Sequence, residues 1–202
     1  IELASELRES RSDLEILLYD RGPRILRNFP EKLSKYISKW FSKHDVTVVP
    51  NSVIDRVEPG KIYNNGQPED IDLVVWTAGI QPVEVVRNLP IDLSNTGRVI
   101  LNQYHQVPTY KNVYVVGDCA DLPHAPSAQL AELQGDQIAD VLKKQWNNES
   151  LPDKMPEIKI QGFLGSLGDK QGFAYIMDRT VTGRLASILK SGVLWLYKYH
   201  NG

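Results

Sequence analysis

Asp118 closes the run Val113-Tyr114-Val115-Val116-Gly117-Asp118. Its carboxylate accepts two hydroxyl hydrogen bonds well, so a polyol is its natural partner. The apolar run ahead of it is too short for a helix and rich in β-branched residues, and it reads as a strand buried on both faces. Gly117 lets the backbone turn closely past whatever sits at the carboxyl end of that strand, where open α/β sheets hold their ligands. A buried strand that merely ends in a Gly-Asp turn is the alternative.

A second acid stands in a comparable place. Asp20 follows the apolar residues 14–19 and precedes the turn Arg21-Gly22-Pro23. In a βαβ dinucleotide site an acid at the end of the second strand binds the adenosine ribose, about 20 residues after a glycine-rich turn. Asp20 occupies that position, and the glycines would lie just ahead of Ile1. Such an acid accepts from the free 2′-hydroxyl of NADH and repels the 2′-phosphate of NADPH, a preference that Arg21 blurs. Cys119, the lone cysteine, reads as packing rather than redox chemistry, and no residue spacing matches a zinc site, so no metal is expected.

The elements that must position these acids follow from periodicity. Residues 1–8 place Leu3, Ala4 and Leu7 on one side of a helix that has no N-cap before it, which predicts a piece of a longer protein. Leu33, Tyr36, Ile37, Trp40 and Phe41 recur at helical spacing within 30–44, a crossover helix whose Trp40-Phe41 pair belongs to the core and whose His44 is a helix-end cation. Short strands are expected at 46–49 and 52–57, a hairpin turns at Asn64-Asn65-Gly66, and residues 71–76 form another buried strand. That strand leads into Thr77-Ala78-Gly79-Ile80-Gln81-Pro82, whose small residues allow close backbone approach. Residues 97–101 form a short strand. A helix runs over 127–146 with a small flank of Ala128, Ala131, Gly135 and Ala139, and its amino end aims free amides and positive dipole at the Gly117-Asp118 turn. After a proline-bearing linker at 151–156, strands at 157–163 and 173–177 flank a glycine-rich stretch that lacks a P-loop lysine and reads as a hairpin. A final amphipathic helix spans 182–200.

Composition sets the bounds. The chain has 202 residues, 42% apolar and 24% charged, with net charge −2 and a pI near 6.1. That content suits one or two folded domains and supplies no basic field for nucleic acid. The absence of a disulfide framework fits a reducing cytosol. No apolar run approaches the roughly 20 residues of a membrane span.

Taken in order, I-E-L-A-S-E-L, L-L-Y-D-R-G-P-R-I-L, T-A-G-I-Q-P, V-Y-V-V-G-D-C-A and A-Q-L-A-E-L-Q resemble the second half of type II NADH:quinone oxidoreductases and their bacterial NADH dehydrogenase-like relatives, within the pyridine nucleotide-disulfide oxidoreductase superfamily. The resemblance implies an α/β, Rossmann-like two-dinucleotide-binding-domain flavoprotein fold, incomplete in this chain, with a small C-terminal α+β region. It divides the chain into part of an NAD(H)-binding domain at 1–80, the C-terminal part of an FAD-binding domain at 81–150 and a small domain with an amphipathic helix at 151–202.

It further implies FAD held at Gly117 and Asp118, the latter gripping the flavin ribitol, and at the backbone of Ala128, Gln129 and Leu130. Thr77 and Gly79 lie at the crossing between domains, and NADH reaches the flavin from the side of Glu2 and Asp20. Hydride transfer from NADH to flavin, then electrons to a quinone or other acceptor, is the implied reaction. No side chain is assigned as acid or base. In the family an A-Q-x-A-x-Q run lines the quinone pocket; here Leu133 stands where the second glutamine belongs, and Gln134 follows after a helical rotation of roughly 100°. That departure weighs against a quinone and keeps a second reading open, a cofactor-free remnant or regulator that binds a partner or membrane through its last helix. A disulfide reductase of the same superfamily fits less well, because the region after the flavin motif is too short for its dimerisation domain. The resemblance implies a peripheral place on the inner face of the cell membrane, for which an amphipathic final helix is suited; the alternative is that this helix packs within its own domain or in a homodimer.

Overall fold

The computed structural model describes residues 1–160 and 162–201. Gln161, inside the strand expected at 157–163, and Gly202, the end of the expected last domain, lie outside the described residues. Two compact units emerge, one of residues 1–75 with 161–202 and one of residues 76–160. This grouping by compactness is a different division from the functional one expected at residues 80 and 150.

The first unit starts with helix α1 (Glu2–Ser10), strand β1 (Ile16–Tyr19), helix α2 (Glu31–Lys43) and strand β2 (Val46–Val49). β1 and β2 pair in parallel with α2 as the crossover, the βαβ arrangement that the alternation of strand and helix patterns predicts. Leu33, Ile37, Trp40 and Phe41 of α2 are buried, joined by Ala4, Ile25 and Val46. α1 turns a different face inward than its sequence suggested: Ala4 and Ser5 are buried while Leu3 is exposed. The antiparallel strands β3 (Ile54–Glu58), β4 (Lys61–Asn64) and β5 (Gln67–Asp70) form a meander. Its second turn uses Asn65 and Gly66 at φ of 51° and 76°, the left-handed pair that a two-residue hairpin demands.

Residues 71–76 depart from expectation. They form no strand, and Leu73 and Trp76 are 78% and 61% exposed. An apolar run is buried as a strand only where neighbours satisfy its backbone and cover its faces. No strand among the described residues pairs with this run.

The chain's last part completes the first unit. Strands β8 (Gly162–Leu167), β9 (Gln171–Ile176) and β10 (Arg179–Gly183) make an antiparallel sheet, followed by helix α5 (Arg184–Asn201). β10 was absent from the sequence expectation, which ran the helix from Thr182. Met177 and Asp178, at φ of 48° and 61°, make the tight turn that separates β9 from β10. Alternate residues of β9 serve opposite faces. Phe173 enters the core with α2, whereas a Cβ on Gly172 would meet the α5 backbone at Ser187 N, 2.9 Å away.

The second unit contains helix α3 (Glu84–Arg87), the short antiparallel pair β6 (Gln106–Val107) and β7 (Tyr110–Tyr114), a 3-10 turn over Gly117–Cys119 and helix α4 (Ala128–Trp146). The strand expected at 97–101 reduces to bridges at Val99, antiparallel to Leu93 and parallel to Ala120. The run before Asp118 is likewise not doubly buried: β7 ends at Tyr114, and Val113 and Val116 are exposed. With only β6 alongside, both faces of β7 lack the cover that a central strand receives.

Candidate functional site

Asp118 sits in the middle of the 3-10 turn with its side chain exposed, and the backbone around it is tied on every side. Gly117 adopts φ +67°, a conformation that a side chain would strain, and a Cβ there would lie 3.3 Å from Ala131 Cβ on α4. The Gly117 N–H donates to Gln134 Oε1 at 2.6 Å. The Asp118 carbonyl accepts from Arg98 Nε at 3.1 Å, and the same guanidinium donates through Nη2 to the Ile80 carbonyl at 3.1 Å. Val99 N–H donates to the Cys119 carbonyl at 2.8 Å, and Asp121 N–H returns a bond to the Val99 carbonyl at 2.9 Å.

α4 begins beside this turn. Ser127 caps it by accepting from Leu130 N–H at 3.2 Å, so the Leu130 amide expected to be free is engaged; those of Ala128 and Gln129 belong to the first turn, where the helix itself supplies no acceptor. The helix packs through Leu130, Gln134 and Val141 rather than through its small flank, for Ala128, Gly135 and Ala139 are exposed and only Ala131 approaches the turn. His105, buried and at φ 60°, contacts Gln137 Oε1 through Nε2 at 2.8 Å and further fixes α4 within this unit.

The structure therefore brings together Gly117, Asp118 and the start of α4, and Arg98 ties them to Ile80, next to the Thr77-Ala78-Gly79 stretch. Gly79 adopts φ +94° and its N–H bonds back to the Thr77 carbonyl at 2.9 Å. Both residues are exposed. Glu2 and Asp20 belong to the other unit.

There Asp20 terminates β1. Its Oδ1 accepts the Gly22 N–H at 2.7 Å, which orients the carboxylate, and its backbone pairs with Val49 and Ser52. Glu2 is exposed and yet engaged by the end of the chain. Its Oε1 accepts from Ser166 N–H at 2.8 Å, Ser166 Oγ–H at 2.9 Å and the Lys190 ammonium. Burial pushes its pKa up, and the donors from Lys190 and Ser166 outweigh that effect and hold it below the ordinary glutamate value.

Sequence reasoning missed the parts played by Arg98, Ser166 and Lys190, and it read Gln134 only as displaced from the acceptor run, not as the partner of Gly117. That part could have been found, since Gln134 lies four residues after Leu130 and seven before Val141, a polar residue on the apolar stripe of α4. The other three carry no local signal, because their partners are remote in sequence. Among the described residues no cluster of His, Cys, Asp and Glu could hold a metal ion, and no helix is long and apolar enough to cross a membrane.

The sequence profile described as pyridine nucleotide-disulphide oxidoreductase matches residues 1–135. The NADH dehydrogenase-like protein YutJ of Bacillus subtilis is 55% identical over 202 residues, which cover 100% of this chain and 57% of that protein. A type II NADH:quinone oxidoreductase of Staphylococcus epidermidis is 26% identical over 200 residues, 94% of this chain and 49% of its own length. Among solved structures, the sulfide:quinone oxidoreductase of Aquifex aeolicus shares the fold with a TM-score of 0.78 at 19% identity, covering 98% of this chain and 53% of that one. NDH2 from Plasmodium falciparum in complex with NADH shares it with a TM-score of 0.74 at 14% identity, covering 93% and 56%. The chain spans about half the length of the curated relatives it matches. With the profile matched over the α1–β1–α2–β2 elements, the 77–82 stretch, the Gly117-Asp118 turn and the start of α4, this chain belongs to the pyridine nucleotide-disulphide oxidoreductase family.

Proposed function

We propose that this chain is part of an FAD-dependent NADH dehydrogenase. The observation that carries the reading is the exposed Asp118 carboxylate on a turn whose backbone is fixed on both sides, beside the capped start of α4. These residues fit a flavin. A carboxylate presented at the end of a tied turn can accept two ribitol hydroxyls, Gly117 carries no side chain between the turn and α4, and the Ala128 and Gln129 amides lie in a first helical turn that favours negative charge. A bound flavin supplies the chemistry, taking a hydride from a reduced nicotinamide and passing two electrons to an acceptor. The protein's own part is to bind and orient.

In this reading Asp20, oriented by Gly22, keeps Oδ2 for a ribose hydroxyl of NADH. Thr77 and Gly79 carry the chain across from the nicotinamide-binding part, 1–80, to the flavin-binding part, 81–150. Glu2 contributes to the nicotinamide side through the Oε2 that Ser166 and Lys190 leave. Leu133 and Gln134 offer the acceptor no amide, since Leu133 has none and Gln134 is turned to Gly117. A quinone would therefore lack the second amide of that run and keep only Gln129, and this part of α4 does not favour it over another two-electron acceptor. α5 exposes Leu185, Ile188, Val193, Leu194 and Trp195 and carries Arg184 and Lys198, a composition that suits the headgroup region of a membrane.

The test is direct. The full-length protein that carries this chain is expected to purify yellow and to bleach on addition of NADH, and Asp118→Asn is expected to raise the FAD dissociation constant ~10-fold or more, as for loss of charge-assisted hydrogen bonds. A colourless full-length protein that stays colourless after incubation with FAD would overturn the reading.

A further inference from the structure

The turn that presents Asp118 is held by two side chains to which the sequence motifs assign no part in it, Gln134 and Arg98. Gln134 is completely buried, yet its Nε2 has no hydrogen-bond partner. Half of its amide thus bears the cost of burial without return, where a leucine would pack at no such cost. What the side chain does supply is one acceptor, placed 2.6 Å from the Gly117 N–H. That partner also fixes which amide atom faces the turn, because an N–H needs an oxygen opposite it. On the next residue, Arg98 binds the Asp118 carbonyl through Nε and reaches the Ile80 carbonyl with Nη2. The remaining ties to this turn are main chain to main chain, through Val99 and within the turn itself.

Gln134 therefore holds the peptide group that ends at the Gly117 N–H and Arg98 the one that begins at the Asp118 carbonyl, and the peptide between them is closed by the Ala120 N–H bond to the Gly117 carbonyl at 3.0 Å. The Cα–Cβ bond of Asp118 is directed by this backbone and its χ1 wells are measured from it, so a turn fixed on both sides of the residue sets the directions from which the carboxylate can reach a ligand. We propose that Gln134 and Arg98 are positioning residues that set the aim of the Asp118 carboxylate, and that Arg98 locks this aim to the crossing segment at Ile80. The inference rests on the reading of Asp118 as a flavin ligand and extends it to residues that never touch the flavin.

The experiment is a set of double-mutant cycles in the full-length protein, with FAD affinity measured by titrating the deflavinated protein. Asp118→Asn, Gln134→Met and Arg98→Met are made singly, and each of the last two is combined with the first. Each single change is expected to weaken FAD ~10-fold or more, the effect of one lost buried or charged hydrogen bond. In the Asp118→Asn background, Gln134→Met and Arg98→Met are expected to weaken it by less than about 3-fold further, because residues that act through one group are not additive. Gln134→Glu keeps an oxygen at the same reach and, neutral as full burial without a cation demands, is expected to retain most of the parent affinity. If Gln134→Met does not fold, the Arg98→Met cycle and Gln134→Glu carry the test.

Losses that add in full to that of Asp118→Asn, or Gln134→Met and Arg98→Met proteins that bind FAD as tightly as the parent, would overturn the proposal and leave the flavin reading standing. An Asp118→Asn protein with undiminished affinity would overturn both.

Discussion

The Glu2 carboxylate gathers three donors on one oxygen, from Ser166 twice and Lys190 once, and so joins α1 to β8 and α5. Its folded pKa lies below the ordinary value of 4.5. A carboxyl with a depressed folded pKa contributes stability in full above its unfolded pKa and loses that contribution as pH falls through the folded one. Both partners are partly exposed, so the contribution is small, roughly 0.5–1 kcal/mol after solvent screening. Glu2→Gln is therefore expected to lower the urea midpoint at pH 7 and to show a shallower loss below about pH 4.5 than the parent, a comparison read from urea unfolding at a series of pH values. Equal slopes on the acid side would show that the latch carries no stability.

The β8–β9 pair shows how a strand accommodates a large core residue. A Cβ on Gly165 would lie 2.2 Å from the Phe173 ring, and Phe173 is itself 1% exposed, so the ring occupies the space that the glycine leaves. Across this antiparallel pair Gly165 is the register partner of Phe173. Phe173→Ala is expected to cost ~3–5 kcal/mol by opening a cavity against α2. Gly165→Ala alone is expected to cost ~1–3 kcal/mol by overpacking, and much less when combined with Phe173→Ala. Urea unfolding with hydrogen exchange at the β8 and β9 amides checks both figures and locates the effect. Full additivity of the two changes would contradict the contact.

For the whole molecule, the two units carry different parts of the proposed chemistry, Asp20 and Glu2 in one and Gly117, Asp118 and the start of α4 in the other. Neither unit contains the glycine-rich βαβ turn on which a dinucleotide pyrophosphate rests. Expressed by itself, the 202-residue chain is expected to purify colourless and to bind neither FAD nor NADH tightly, as absorbance at the flavin band and equilibrium dialysis would show. A stoichiometric yellow colour in that chain would mean that the Asp118 turn and α4 suffice. The apolar runs at 71–76 and 113–116 and the outer side of α5 leave large exposed apolar area on the same chain, more than scattered surface residues account for.

Local chemistry determined a large share of this protein. The α2 helix with its Trp40-Phe41 core, the parallel β1–β2 pair, the Asn65-Gly66 hairpin and the Ser127-capped α4 all follow from periodicity, capping and turn residues, because those interactions span only a few positions, whereas the strand expected at 157–163 forms instead within the glycine-rich stretch, at 162–167. The α/β class and the family follow from the ordered motifs. What the tertiary structure decided was burial and partnership. The runs at 71–76 and 113–116 have the composition of central strands, but composition cannot supply the neighbours that make a strand central. The three donors on Glu2, the bond from Gly117 to Gln134 and the reach of Arg98 from Asp118 to Ile80 join residues 17 to 188 positions apart. Side chains so distant in sequence meet only when the fold has closed the chain between them, and there lies the physical reason that the aim of the carboxylate had to be read from coordinates.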